Sequence, residues 1–217
     1  WLSNVIEMPL IDEAETLVDN GLMSNLADNF TTNNGLIVDK FGNSWFRWRA
    51  DGLDSWWRMF EETIDSPMGR KLVNSACDEE EWLLNQGQLD HTGLFRKKKA
   101  LNALLHRWEL HGWGTPCLNP PSFQSNGLNP IFAGILQANI ERINSQRYRM
   151  RWEEKSLDSC ALQLEDTSQP ITASKQSVRF FDTGDAYRID VEKNWRIDGL
   201  SYHLLPAGLF NRLQDSC

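Results

Sequence analysis

The chain has 217 residues, enough for one full hydrophobic core, and its 41% hydrophobic and 24% charged residues are those of a folded protein. A net charge of -8 argues against generic binding to nucleic acid or to an anionic membrane surface, since both demand concentrated positive charge. No apolar run approaches the roughly 20 residues needed to cross a bilayer.

Pro9, Leu10, Ile11, Ala14, Leu17, Val18, Leu22 and Leu26 recur with helical spacing, and Asn33-Asn34-Gly35 ends that pattern. Leu36 to Val38, a turn at Phe41-Gly42-Asn43, and Trp45 to Arg49 predict a β-hairpin. Asp51 or Asp54 can cap a helix through Trp56, Trp57, Phe60 and Ile64. Ser66-Pro67 opens another, with Leu72, Val73, Ala76, Cys77, Trp82 and Leu83 near its apolar side. Its acidic run, Asp78 to Glu81, reads as a solvated face. Asn85 to Gly93 is a polar loop. A further helix carries Leu94, Leu101, Leu104, Leu105 and Trp108 as a stripe, with Arg96 to Lys99 in water. Gly112-Trp113-Gly114-Thr115-Pro116 stops it.

Thr115 to Asn119 reads as a short strand and Pro120 to Gly127 as loop. Asn129-Pro130 is a cap and first-turn proline for a helix bearing Ile131, Phe132, Ile135, Leu136, Ile140 and Ile143. Arg147 to Glu153 alternates polar and apolar, as does Cys160 to Glu165. They predict a hairpin with Tyr148, Met150 and Trp152 on the buried side beside Cys160, Leu162 and Leu164. Asp166 to Gln176 is a linker. Ala186 to Glu192 alternates as a strand, Trp195 to Ile197 can pair with it, and a short helix closes the chain at Pro206 to Leu213. The fold class expected is α+β: an antiparallel sheet of hairpins packed against four to five helices in a single domain. Its parts are an N-terminal helical segment (1–33), a main unit (34–165) and a C-terminal extension (166–217) packed upon it.

Ten tryptophans are several times the usual number. Indole is large and flat and carries one N–H that needs a partner when buried, so this abundance suits a bulky core or an aromatic-lined cavity. The four cysteines, Cys77, Cys117, Cys160 and Cys217, show no CxxC pairing and no metal-ligand clustering, so no metal site is expected; four thiols allow two disulfides, but free buried thiols are the expectation. Trp1 to Leu10 has no basic segment followed by an apolar run, so no signal peptide and a cytoplasmic location are expected. The chain begins without Met, as a piece of a longer protein would.

Three stretches resemble the 4-vinyl reductase-like domain, a family related to small subunits of vesicle-tethering complexes. They are Asn34-Gly35-Leu36-Ile37-Val38 through Trp48; Leu105 to Gly114; and Pro130 to Leu136 with Glu141, Arg149 to Glu154 and Asp158 to Leu164. Together they span roughly residues 34–165. The resemblance implies an α+β fold, a homodimer formed through helices, and a cavity for a small hydrophobic molecule. The family's hairpin often carries more than one cysteine and only Cys160 matches here, so the resemblance names no metal, heme or other cofactor.

Several constellations bear on chemistry. Gly112-Trp113-Gly114 lets backbone approach a ligand with an indole as wall, or is a helix stop with an anchoring Trp. Trp108 and Trp113, with Trp48 and Trp152 from the hairpins, are the aromatic candidates for a pocket. His106 and His111 flank Trp108, and either can serve as acid or base beside Glu109, or as a plain polar or capping residue. On a helix they point about 140° apart, so they do not grip one ion together. Arg147, Arg149 and Arg151 line one strand face that could hold a carboxylate or phosphate, or be solvated and balanced by Gln163 and Glu165. Asp182, Asp185 and Asp190 lack the spacing of a calcium loop, and no nucleophile-elbow, phosphate-loop, zincin or dinucleotide motif is present. The leading expectation is a noncatalytic, dimeric domain that binds a small hydrophobic molecule or acts as a sensor. An enzyme using His106 or His111, and an interaction module with exposed tryptophans, are the alternatives.

Overall fold

The computed structural model describes residues 20–33, 36–87, 89, 95–171, 174–177 and 195–217. The expected helix before residue 20, the strand at 186–192 and Trp1 lie outside the described residues, as do Asn34, Gly35 and the three scattered aspartates. The described elements run α1 (Asn20–Asn29), β1 (Phe30–Asn33), β2 (Leu36–Asp39), β3 (Ser44–Arg49), α2 (Ala50–Ile64), α3 (Gly69–Leu84), α4 (Arg96–Leu110), β4 (Thr115–Leu118), β5 (Pro121–Gln124), α5 (Asn129–Asn144), β6 (Tyr148–Ser156), β7 (Ser159–Asp166), β8 (Arg196–Ile197), β9 (Leu200–Pro206) and α6 (Ala207–Ser216). The fold is α+β, as the patterning predicts, but the strands form two antiparallel sheets. One has the order β1-β2-β3-β9-β8 and the other β4-β5-β7-β6.

The hairpin read from alternation forms in the expected register. Met150 lies opposite Leu164 and Trp152 opposite Leu162, while Arg149 and Arg151 face Glu165 and Gln163 on the wet side. The β2–β3 turn closes on Asp39. Its carboxylate accepts hydrogen bonds from the Phe41 and Asn43 backbone N–H groups, the Asn43 side chain and the Trp45 indole. Three strands depart from the sequence reading. Phe30–Asn33, expected within the N-terminal helical segment, is a strand paired with β2. Pro121–Gln124, expected as loop, is a strand held between β4 and β7. Its proline sits at the first position, where a missing donor is tolerated. Leu200–Pro206, which has no clean alternation, pairs with β3 along Trp45–Arg49 and is buried from His203 to Pro206. A strand covered on both faces has no polar side to reveal it.

β9 also ties the C-terminal extension to the centre of the molecule. The Leu204 N–H donates to the His111 carbonyl at 2.9 Å, and the Leu204 carbonyl accepts from the Trp113 indole at 2.7 Å. The helix stop is as expected: α4 ends at Leu110, His111 is its C-cap and Gly112 takes a left-handed φ of 70°. The expected caps differ. Neither Asp51 nor Asp54 caps α2, where Asp51 instead binds Arg49 and the Gly52 N–H. Asn129 does not cap α5, and its buried Oδ1 has no partner among the described residues. In α4 the buried side is Ala100, Leu104, Arg107, Trp108 and Leu110, whereas Leu101 and Leu105 are exposed.

The largest revision concerns α3. Of its acidic run only Asp78 is exposed as expected: Glu79, Glu80 and Glu81 are all buried. Successive helical residues point about 100° apart, so three buried in a row require neighbours around most of the helix. Each glutamate meets an arginine from a different element. Glu79 binds Arg212 of α6 at 2.7 Å, Glu80 binds Arg107 of α4 through two bonds of 2.8 and 2.6 Å, and Glu81 binds Arg147 at 2.6 Å. Gly134 of α5 permits the closest helix approach, since a Cβ there would fall 2.2 Å from the Val73 carbonyl oxygen. No helix among the described residues is long and apolar enough to cross a membrane.

Candidate functional site

Trp108 and Trp113, the aromatic pair singled out from sequence, lie inside the core with no exposed surface. Trp108 donates its indole N–H to Asn139 Oδ1 at 2.8 Å and packs near Phe123 and Phe132. Trp113 stands edge-on to Trp108 with centroids 6.0 Å apart. Both rings are packed core residues, yet Trp108 borders a cleft of about 570 Å³ together with Gly112 and Gly114, which Trp113 does not reach. The two glycines also allow close packing: a Cβ on Gly112 would strike the Trp195 ring, and one on Gly114 the Gln124 carbonyl. Trp152 is half-buried with the Arg70 guanidinium over its ring at 4.6 Å.

His106 is exposed and His111 is buried, yet both line one cleft of about 330 Å³ with Phe30, Lys40 and Leu110. Helical geometry separates them by angle, but His111 stands at the cap where the helix has ended. Its ring packs against Trp45 and Trp113 at 4.5 and 4.6 Å. Because a carbonyl can only accept, its 2.7 Å contact with the Arg107 carbonyl places the proton on Nδ1. Burial, with the Arg107 charge beside it, holds His111 well below the usual imidazole range, so it stays neutral. Glu109 is exposed on another face of α4, and its backbone carbonyl accepts from the Trp195 indole.

The three arginines of the predicted anion face do not act together. Arg147 is held by Glu81 and by Glu141, each at 2.6 Å, while Arg149 and Arg151 are exposed. Of the cysteines, Cys77 and Cys160 are buried free thiols as expected, but Cys117 and Cys217 are exposed. Burial raises both buried thiols, Cys160 to about 11, which leaves them unreactive.

One aromatic site was only partly legible. Phe46 and Trp48 alternate on β3 and so share a face, Trp56 and Phe60 share a face of α2 at i,i+4, and Phe210 with Leu213 comes from α6. They line an open groove of about 590 Å³, a size within the roughly 300–1,000 Å³ of small-molecule sites. Trp56 and Phe60 stack at 5.6 Å with planes 14° apart, and Phe210 bridges to Trp48 at 5.4 Å. Arg47, Gln214 and Cys217 complete the lining. Trp56 is 36% exposed while its neighbour Trp57, about 100° round the helix, is 4% exposed and packs in the core. Within this groove Trp48 has a buried indole N–H with no hydrogen-bond partner among the described residues. The i,i+2 and i,i+4 spacings are signals in the sequence, but the arrival of α6 against them is not. No family model, no curated protein and no solved structure matches this chain.

Proposed function

We propose that this chain is a noncatalytic domain that binds a small hydrophobic molecule in the groove between β3, α2 and α6. The observation carrying the reading is the groove itself: five aromatic rings from three elements surround an open space of ligand size. Aromatic and aliphatic walls with few polar groups are the usual lining of such sites. The resemblance to the 4-vinyl reductase-like domain supports the same ligand class, and it extends the proposal to a dimeric, sensory or regulatory role. The site differs from the sequence expectation, because Trp48 is the one member of the expected aromatic set that lines it.

Calorimetric titration with naphthalene tests the proposal. Saturable binding is expected in the native chain, with a loss of about tenfold or more in Trp56→Ala, which removes one ring of the stacked pair. Absence of saturable binding, or binding unchanged in Trp56→Ala and Phe60→Ala, would overturn it.

A catalytic reading has one observation in its favour, the cleft shared by His106 and His111. A general base works best with a pKa near the working pH, and burial moves His111 away from it. The groove is therefore the better-supported site.

A further inference from the structure

Aromatic rings set the chemistry of the groove more than any polar group does. Trp48, Trp56 and Phe210 come from three elements, with centroids 6.2 Å (Trp48–Trp56), 5.4 Å (Trp48–Phe210) and 6.3 Å (Trp56–Phe210) apart. Their planes are inclined to one another by 38°, 35° and 73°, so they form inclined walls and not one flat stack. Rings at this spacing allow one cation to stand within about 6 Å of all three centroids, the reach of a cation–π contact. Phe60, stacked on Trp56 at 5.6 Å, lengthens one wall. Elsewhere indole rings already hold the chain's own cations. Arg70 lies over Trp152 at 4.6 Å, and Arg107 lies over Trp113 at 5.1 Å and Trp45 at 5.9 Å. Among the described residues no cation of the chain covers Trp48 or Trp56.

We infer that the groove's ligand is a hydrophobic organic cation, a quaternary ammonium on an apolar body, whose charged head rests on Trp48, Trp56 and Phe210. The inference rests on the groove being a binding site and names the ligand class that site selects. The negative face of an aromatic ring attracts a cation, and indole gives the strongest such contact. A quaternary nitrogen has no N–H to donate, so a groove with few polar groups leaves no donor unsatisfied. Arg47 is the one charged side chain among the described lining residues. It alternates away from Phe46 and Trp48 on β3, and its guanidinium lies over the Tyr202 ring at 5.5 Å. At longer range the net charge of -8 favours a cationic ligand over an anionic one.

The test compares two probes of the same shape, phenyltrimethylammonium and tert-butylbenzene, which differ by a positive nitrogen in place of a carbon. Calorimetry is expected to show the cation binding about fivefold tighter, as a cation–π contact in a partly open site would give. Trp56→Leu keeps apolar bulk but removes a π face, and is expected to lose that preference while still binding the neutral probe. Repeating the pair in about 0.5 M salt separates ring contact from general attraction by the acidic chain, which salt screens. The preference is expected to persist there. Equal or tighter binding of the neutral probe, a preference lost in salt, or one unchanged in Trp56→Leu overturns this inference. Saturable naphthalene binding beside any of those results leaves the groove reading standing. If naphthalene and both probes fail to bind, both fall.

Discussion

Removing the Glu80 carboxylate probes the least expected feature of the fold, a charge buried at the middle of a helix. Glu80 and Arg107 side chains are 1% and 6% exposed. Two hydrogen bonds join them, and the Asn139 amide donates a third to Glu80 Oε1 at 2.6 Å. Glu80→Ala leaves the guanidinium buried without the carboxylate that Nε and a terminal nitrogen bind, and breaking such a pair costs about 3–5 kcal/mol. The lost bond from Asn139 adds about 1 kcal/mol. Asn139 also accepts from Trp108, so its position in the core loosens. A total of about 4–6 kcal/mol is a large part of the 5–15 kcal/mol typical of whole domains. Urea unfolding of the native chain and of Glu80→Ala measures the difference. The double variant Glu80→Leu with Arg107→Met, which removes both charges and keeps bulk, is expected to recover at least half of the loss. A cost for Glu80→Ala below about 1 kcal/mol with an unchanged denaturant slope would refute the reasoning, since an exposed pair is worth no more than that.

Stability should fall in mild acid. His203 donates through Nδ1 to the Gly112 carbonyl, its Nε2 is buried without a partner among the described residues, and burial lowers it to about 4. The unfolded chain takes up a proton near pH 6.5 that the folded imidazole refuses. The contribution is therefore fully present above pH 6.5 and is lost as pH falls from there to about 4, by about 3 kcal/mol at most. Unfolding free energies of the native chain and His203→Gln across that window should differ in slope, and parallel curves would exclude the assignment. Gly134→Ala should cost about 1–3 kcal/mol, because α3 and α5 must part to clear the Val73 carbonyl; a thermal midpoint at or above that of the native chain would show that the helices yield freely.

Local pattern alone determined the elements whose burial is one-sided. The β6–β7 hairpin was readable because Tyr148, Met150 and Trp152 alternate with arginines, and α4 ended where two glycines forbid continuation. The length of the chain and its apolar share sufficed for a folded core, and the mix of helical and alternating patterns for the α+β class. Tertiary structure decided the rest. α3 is surrounded, and its glutamates are buried because Arg212, Arg107 and Arg147 arrive from elements up to 133 residues away. No local window holds that information, so an acidic run read as a wet face. β9 is covered on both sides and shows no alternation, and β5 is a strand only because β4 and β7 flank it. The tryptophans divide in the same way. Local pattern assigned all but the terminal Trp1 and Trp195 to a helix, strand or turn, but only packing separates Trp108 and Trp113, satisfied in the core, from Trp48 and Trp56, which line the groove closed by the distant Phe210.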